Sequence, residues 1–517
     1  MRPLALPQAD WRLVIAGAVL TAAAYPPFHL LLPSFVCLVP AAWLILDGAD
    51  DPRPARRHLA QGFWFGLAAN GLVLHWIAVA LWNYTPLSVI GFAAGLVGLA
   101  LVSAILFAVT GWVIRTTGVS VLLVFPVVWV AHEWIVGHLG DFRFPWLGLG
   151  TSLTGYPTMV QIADIVGARG VTYLLALANV ALALALRHRA ERRRAAVLAA
   201  GVVVGIVVAL AYGVVRERTL DLRPVGVVTV IQPNIGFRDK WEPGQGDQIF
   251  SDHLRLSTEA FAAEAPRVPD LIVWPEVAMP GSFQRNPLWR VILRQFTVGS
   301  KTPLFVGALD LSETDDGRVE LYNAGFLIGA RDTALTYPVY HKRYLVPITE
   351  RAPIAAPRAL SRFFGGFTPG DELPVYEVEV ERSRNVLRFG ALICFESAFE
   401  DLARGYRQGG AEFLVNITND VWFGHTVGPH QHAAHLVMRA IESRVGIARA
   451  ANSGISEFVD PLGRIHEPTA LNARTSKTRE VLTAEGMSLY ARFGDWVGML
   501  SLLATALLVG YAVWRRR

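Results

Sequence analysis

Long apolar windows separated by short arginine-bearing connectors fill the first part of the chain, and after residue 216 the pattern changes. Seven windows lie at about 11–29, 30–47, 59–82, 86–114, 119–138, 168–186 and 195–215, and an eighth at about 493–514. Several approach the roughly 20 residues a helix needs to cross the hydrocarbon core of a bilayer. Pro26, Pro27 and Pro33 interrupt the first two and blur their edges. The first window has the look of a cleavable signal, but further apolar windows follow it where a polar mature region would begin, so it reads as a retained membrane helix. Residues 216–492 have a different texture. Short apolar runs at 225–231, 271–274, 304–309, 324–328, 387–394, 413–417 and 456–459 are separated by helical patterns, one of which sets Leu436, Val437, Ala440 and Ile441 on a single face. Alternating strands and helices predict an α/β layered domain, with no repeat of fixed period.

Composition agrees with the windows: 53% of the 517 residues are hydrophobic and only 17% charged, which excludes an ordinary soluble enzyme of this length. The net charge of +5 raises the question of nucleic acid, but the position of the arginines answers it. Arg53, Arg56 and Arg57, then Arg115, then Arg187, Arg189, Arg192, Arg193 and Arg194, and finally Arg515, Arg516 and Arg517 all fall in connectors or a tail on one alternating side. By the positive-inside rule that side is cytoplasmic. The expected organisation is a membrane domain of seven helices at 1–215, an extracytoplasmic domain at 216–492, and a last helix with a cytoplasmic tail at 493–517. The two cysteines, Cys37 within an apolar run and Cys394, provide neither a disulfide framework nor a cysteine metal cage.

The candidate chemistry lies at three strand ends of the 216–492 domain. The run Phe389-Gly390-Ala391-Leu392-Ile393-Cys394-Phe395-Glu396-Ser397 delivers a thiol at the end of a core strand. Leu271-Ile272-Val273-Trp274-Pro275-Glu276 ends in a carboxylate, and Lys342 sits between Val339 and Val346 in a similar setting. Acyl transfer by a thiol needs a base for its proton and a cation or N–H group for the oxyanion. Each residue taken singly also has an unremarkable reading: a buried core cysteine, a solvated loop acid, an exposed lysine. His425, His430, His432 and His435 cluster, and His432 with His435 has helical ligand spacing, but no carboxylate completes an evident zinc set. Glu133 lies in an apolar window with Trp129 and Trp134 nearby and is suited to lining a polar crevice. Residues 354–367, with Leu360, Phe363, Phe364 and Phe367 among arginines, read equally as an interfacial lid or a surface loop.

Glu276 in WPE, Lys342 in HKRYLVP and Cys394 in ICFES resemble, in this order, the Glu-Lys-Cys triad of the nitrilase superfamily. With eight windows around the domain, the chain resembles the apolipoprotein N-acyltransferase family. Phe144-Pro145-Trp146-Leu147-Gly148, Gln161-Ile162-Ala163, Gln232-Pro233-Asn234, Lys240-Trp241, the run from Asn416 to Gly424 and the run from Arg449 to Gly454 extend the likeness over nearly the whole chain. The resemblance implies an αββα sandwich inserted between spans seven and eight of an eight-helix membrane bundle. It implies that Glu276 is the general base, that Lys342 stabilises the tetrahedral intermediate, and that Cys394 carries an acyl chain as a thioester. It further implies supporting roles for Glu350, Glu396, Phe395 and Trp241, with Asn234, Asn419, Trp422 and Phe423 as substrate-binding candidates. Phe395 stands where the family often has tyrosine, and Thr349 where it usually has glycine.

The implied reaction is ping-pong transfer from a phospholipid donor to the α-amino group of a diacylated apolipoprotein. It would run in the bacterial inner membrane on the periplasmic side, in a monomer without metal, cofactor or nucleic acid. A membrane-anchored amidase using the same triad, or an inactive lipid-binding or transport protein, remains an alternative.

Overall fold

The computed structural model describes residues 5–49, 51–84, 88–263, 268–313, 317–329, 337–347, 349–352 and 365–517. The chain divides into two compact units. One comprises Met1–Thr219, Thr426–Ala434 and Phe493–Arg517; the other comprises Leu220–His425 and His435–Arg492. Of the proposed lid at 354–367, residues 354–364 lie outside the described residues.

The first unit is helical. Each apolar window of the sequence contains helix: Gln8–Ala24, the pair Leu31–Val36 and Val39–Gly48, then Pro54–Tyr84, Ser88–Thr117, Val121–Gly137, Ala163–Arg187, Arg192–Thr219 and Trp496–Arg516. Among the described residues, six helices are long and apolar enough to cross a membrane, counting Leu31–Gly48 as one. Gln8–Ala24 and Val121–Gly137 have 17 residues each. The first helix stops short of the window's edge because proline at 26 and 27 cannot continue it. At the break in the second, Asn179 Oδ1 accepts from Leu38 N at 2.7 Å and its Nδ2 donates to the Ser34 carbonyl at 3.1 Å. Side chains also set helix starts. Ser120 Oγ accepts from Leu122 N, and Asp495 accepts from Gly498 N while pairing with Arg169 at 2.7 Å.

Two buried polar groups organise this unit. Glu133 accepts from Trp129 Nε1 at 3.1 Å, Leu149 N at 2.9 Å and Thr172 Oγ1 at 2.9 Å, so this acid of an apolar helix is a bonded joint between helices. Gln431 Oε1 accepts from the indoles of Trp76 at 2.9 Å and Trp146 at 3.0 Å, and its Nε2 donates to the Val73 carbonyl at 3.0 Å. These bonds explain why 426–434 packs with the helices although the sequence reading keeps it inside the inserted domain. An amide buried among apolar residues must find such partners or pay the desolvation cost.

The second unit is a two-sheet sandwich. Its strands are β1 Leu222–Gln232, β2 Leu271–Val273, β3 Met279–Ser282, β4 Leu304–Glu313, β5 Val319–Ile328, β6 Val339–His341, β7 Tyr376–Glu379, β8 Val386–Ile393, β9 Phe413–Thr418, β10 Gly446–Ala451, β11 Glu457–Val459, β12 Ile465–His466 and β13 Thr475–Ala484. One sheet runs β13-β1-β2-β4-β5-β6 with β3 beside β4, and the other runs β12-β11-β10-β9-β8-β7. Between them Phe305 meets Tyr376 and Phe389 at ring distances of 5.3 and 5.6 Å, and Tyr376 Oη donates to the Gly325 carbonyl. Strands β2, β9 and β10 are fully buried, as is β8 from Phe389 onward, as strands covered on both faces must be.

Helices Gly246–Ala263 and Pro287–Ser300 bring Phe250 and Trp289 against Trp274 and the outer face of the first sheet. Helix Glu400–Gln408 covers the second. Gly390 permits that packing, since a Cβ there would stand 2.3 Å from the Tyr406 ring. The helix–sheet–sheet–helix order matches the αββα expectation.

Candidate active site

Parallel pairing of β2 with β1 and β4, and of β9 with β8 and β10, carries several strands to their C-terminal ends together. Turns at such ends collect the chemical groups in open α/β folds. Glu276 follows β2, Cys394 follows β8, Asn419 follows β9 and Asn452 follows β10. Lys342 follows β6, whose pairing with β5 continues as Lys342 N donates to the Asn323 carbonyl. Gly307 lets the Glu276 turn lie flat on β4, because a Cβ there would come 2.3 Å from the Pro275 carbonyl.

The Lys342 ammonium is buried and lies 2.9 Å from Glu350 Oε1 and 3.4 Å from Glu276 Oε1. Burial alone would pull its pKa down, but the Glu350 and Glu276 carboxylates outweigh that and raise it, so it stays charged. Glu276 is held at both oxygens. Its Oε1 accepts from Asn323 Nδ2 at 2.7 Å and its Oε2 from the backbone N–H of Asn419 at 2.8 Å. Glu350 takes a second bond from Asn323 Nδ2 at 3.1 Å and one from Val346 N at 2.7 Å.

The half-buried Cys394 has φ +52°, a left-handed conformation that costs a non-glycine residue about 1–2 kcal/mol. Sharp turns of this kind expose nucleophiles at strand ends. Burial pushes the thiol's pKa well up, Glu276 raises it further, and Lys342 acts in the opposite direction. The resting group is therefore a thiol that requires a base.

Glu396 joins the lysine turn to the cysteine turn. Its Oε1 accepts from Arg343 N, Tyr344 N and Tyr340 Oη at 2.8, 3.1 and 2.8 Å, and its Oε2 accepts from Ile393 N at 2.7 Å. The residues just after Lys342 and just before Cys394 thus hang on one carboxylate. Burial raises its pKa to about 7 despite those donors.

The remaining sequence candidates fall in different places. Phe395 is buried, edge-on to Phe399 at 5.0 Å. Thr349 offers its carbonyl to Gly365 N. Asn419 has its side-chain oxygen bonded to Asn452 Nδ2 at 2.9 Å and its backbone N–H committed to Glu276, so it holds that carboxylate in place. Asn234 donates from Nδ2 to the Asn472 carbonyl and from its backbone to the Asn452 carbonyl. Trp422 packs on Phe237 at 4.5 Å, and Trp241, at the end of the same short helix as Phe237, is half exposed. Phe423 lies in the same 3-10 turn as Trp422. His432 rests against Trp146 at 5.5 Å.

Two site residues escaped the sequence reading. Asn323 carries no strand-end signature, although an asparagine in a buried strand is itself a signal; its Oδ1 is buried with no hydrogen-bond partner among the described residues. Lys240, quoted only as part of a motif, is buried and donates from Nζ to the Glu276 carbonyl at 3.2 Å. Burial lowers its pKa to about 8, against the pull of Glu276.

Family comparison matches residues 17–181 to the apolipoprotein N-acyltransferase N-terminal domain and residues 227–485 to the carbon-nitrogen hydrolase family. A curated apolipoprotein N-acyltransferase from Geobacter metallireducens is 34% identical over 99% of this chain and 97% of its own length. One from Brucella melitensis is 30% identical over 98% and 97%. Among solved structures, a nitrilase-superfamily amidase from Nesterenkonia is similar over 53% of this chain and 95% of its own, at 15% identity and a TM-score of 0.36.

Proposed function

The chain belongs to the apolipoprotein N-acyltransferase family, and from that premise we propose that Glu276, Lys342 and Cys394 carry out its acyl transfer through a thioester. The observation that supports this is the meeting of one ammonium with two carboxylates beside a half-buried thiol.

In the first half-reaction Glu276 takes the thiol proton as sulfur attacks the ester carbonyl of a phospholipid. The oxyanion forms against Lys342 and the N–H groups of the turn after Cys394, where preorganised donors are most effective. Collapse breaks the ester bond, and the lysophospholipid oxygen leaves with the proton from Glu276. In the second, the α-amine of a diacylglyceryl-cysteine attacks the thioester and loses a proton to Glu276. The amide forms as the C–S bond breaks, and the thiolate recovers the proton. Dividing the transfer in two lets one pocket serve two lipid substrates in turn, with ping-pong kinetics. Glu350 and Asn323 orient Lys342 and Glu276, and Glu396 fixes the distance between lysine and cysteine turns.

The proposal extends to topology. Eight helices span the bacterial inner membrane, the arginine-bearing connectors face the cytoplasm, and residues 216–492 work as a monomer on the periplasmic side. Labelled phospholipid and a diacylated lipopeptide test the reaction. The expected result is hydroxylamine-sensitive label on Cys394, chased into an amide on the peptide. Ammonia release from small amides without lipid label would instead make the chain an amidase, and label persisting in Cys394→Ala would remove Cys394 from the mechanism.

A further inference from the structure

A cleft of about 630 Å³ lies at the arginine-rich end of the helical unit, lined by Ser120, Leu122, Leu184, Glu191, Arg192, Arg193, Arg194, Val197 and Leu198. Its volume is in the range of ordinary small-molecule sites. We propose that this cleft is a binding site for the headgroup of an anionic phospholipid of the adjoining leaflet, separate from the acyl-transfer site. The inference needs only that the helical unit lies in a bilayer, and it does not depend on the chemistry of Cys394.

The charge in the cleft is unbalanced. Glu191 is its one acid; it lies 2.9 Å from His188 and 3.7 Å from Arg194. Arg192 and Arg193 have no carboxylate partner among the described residues, in contrast to nearby Arg187, which pairs with Asp47 at 2.6 Å. Two uncommitted guanidinium groups therefore stand at the positive end of the 28-residue helix Arg192–Thr219, where an anion is favoured. The planar fork of arginine matches the two non-bridging oxygens of a phosphodiester by paired hydrogen bonds. Ser120 Oγ is used as an acceptor by Leu122 N, which leaves its O–H to donate.

The other wall is apolar, and this selects a lipid over free phosphate. Leu122, Leu184, Val197 and Leu198 contribute side chains, and Val197 is 66% exposed. The surface continues along the same helix through exposed Val203, Val204, Val207 and Val208, a path for an acyl chain. A phosphate held by arginines with hydrocarbon running down a helix is the arrangement by which basic pockets between membrane helices take acidic lipids. Orientation by positive charge needs arginines in the connector but no cleft, so the cavity is the feature that topology leaves unexplained.

Native mass spectrometry of the full chain, released from nanodiscs of mixed phosphatidylglycerol and phosphatidylethanolamine, tests the proposal. The wild type should retain phosphatidylglycerol at least about tenfold over its share of the bilayer. Arg192→Gln with Arg193→Gln should abolish the excess, and so should Val197→Trp, which keeps every charge and fills the cleft from a lipid-exposed position. Acylation of Cys394 from labelled phospholipid serves as the folding control for both variants. Equal retention of the two lipids by the wild type would overturn the site. Loss in the arginine variant with full retention in Val197→Trp would reduce it to charge attraction at the surface. Displacement of the lipid by millimolar inorganic phosphate would overturn the choice of ligand.

Discussion

Gln431 and Glu133 of the helical unit and the residues around Lys342 of the sandwich are buried or half-buried polar groups, and their surroundings differ. Gln431 and Glu133 meet donors and acceptors in closed sets: two indoles and a carbonyl for one, an indole, an amide and a hydroxyl for the other. In the sandwich, two carboxylates share one ammonium, Asn323 Oδ1 has no partner among the described residues, and Cys394 sits in a strained turn. The first arrangement joins helices. The second suits the proposed acyl transfer, in which further partners arrive with the substrate, and an incompletely satisfied network of that kind is costly.

Substitutions break or sharpen this contrast. The largest effect is expected from Cys394→Ala, which should abolish acyl-enzyme label, a loss of at least ~10³-fold, with no loss of thermal stability. Cys394→Gly should be equally inactive and more stable by about 1 kcal/mol, because glycine accepts the left-handed turn. Thermal unfolding of the two side by side reads the strain directly. Glu396→Gln places an amide N–H against the N–H of Ile393 and frees the two turns from each other. It should slow acyl-enzyme formation by roughly 100-fold, the scale of a small misplacement at a reacting centre.

On the other side of the comparison, Gln431→Leu removes the acceptor that two buried indole N–H groups share. It should destabilise the helical unit by about 2–4 kcal/mol, seen as a lower Tm in detergent, while the thiol's chemistry per folded molecule is kept. The smallest effect concerns pH. Burial raises Glu396 and Glu457 to about 7, so the folded chain holds protons that the unfolded chain has already released. Their contribution to stability is full below the unfolded value of about 4.3 and disappears as pH rises through 7. The Tm of the sandwich should therefore fall between pH 5 and 7.5, and Glu457→Gln should flatten that slope by an amount on the order of 2 kcal/mol.

What could be read from the chain divides along the same line. The apolar windows mark helices because membrane-length hydrophobicity is a local property, and the runs ending in Glu276 and Cys394 mark strand ends for the same reason. The broken second window became clear only with Asn179, whose bonds bridge the gap from 141 residues away. Gln431 gives no local sign of packing with Trp76 and Trp146, more than 280 residues distant. Glu396 was legible as a neighbour of the nucleophile, but its grip on Arg343 and Tyr344 depends on how β6 and β8 end in different sheets. Asn323 hid in the middle of a strand, where period-2 patterning records burial and carries no information about a side-chain amide.

The clamp at Glu396 has a consequence for how the sandwich tolerates change. Arg343 and Tyr344 follow the edge strand of one sheet, and Ile393 ends an inner strand of the other, yet the two backbones are tied through a single carboxylate. The spacing of the lysine and cysteine turns is accordingly set by the bite of one carboxylate and only indirectly by the thickness of the hydrocarbon layer beneath. Core residues such as Phe305 or Phe389 can drift in size over generations, each shift spacing the sheets by a fraction of an ångström, while the reacting groups keep their mutual reach.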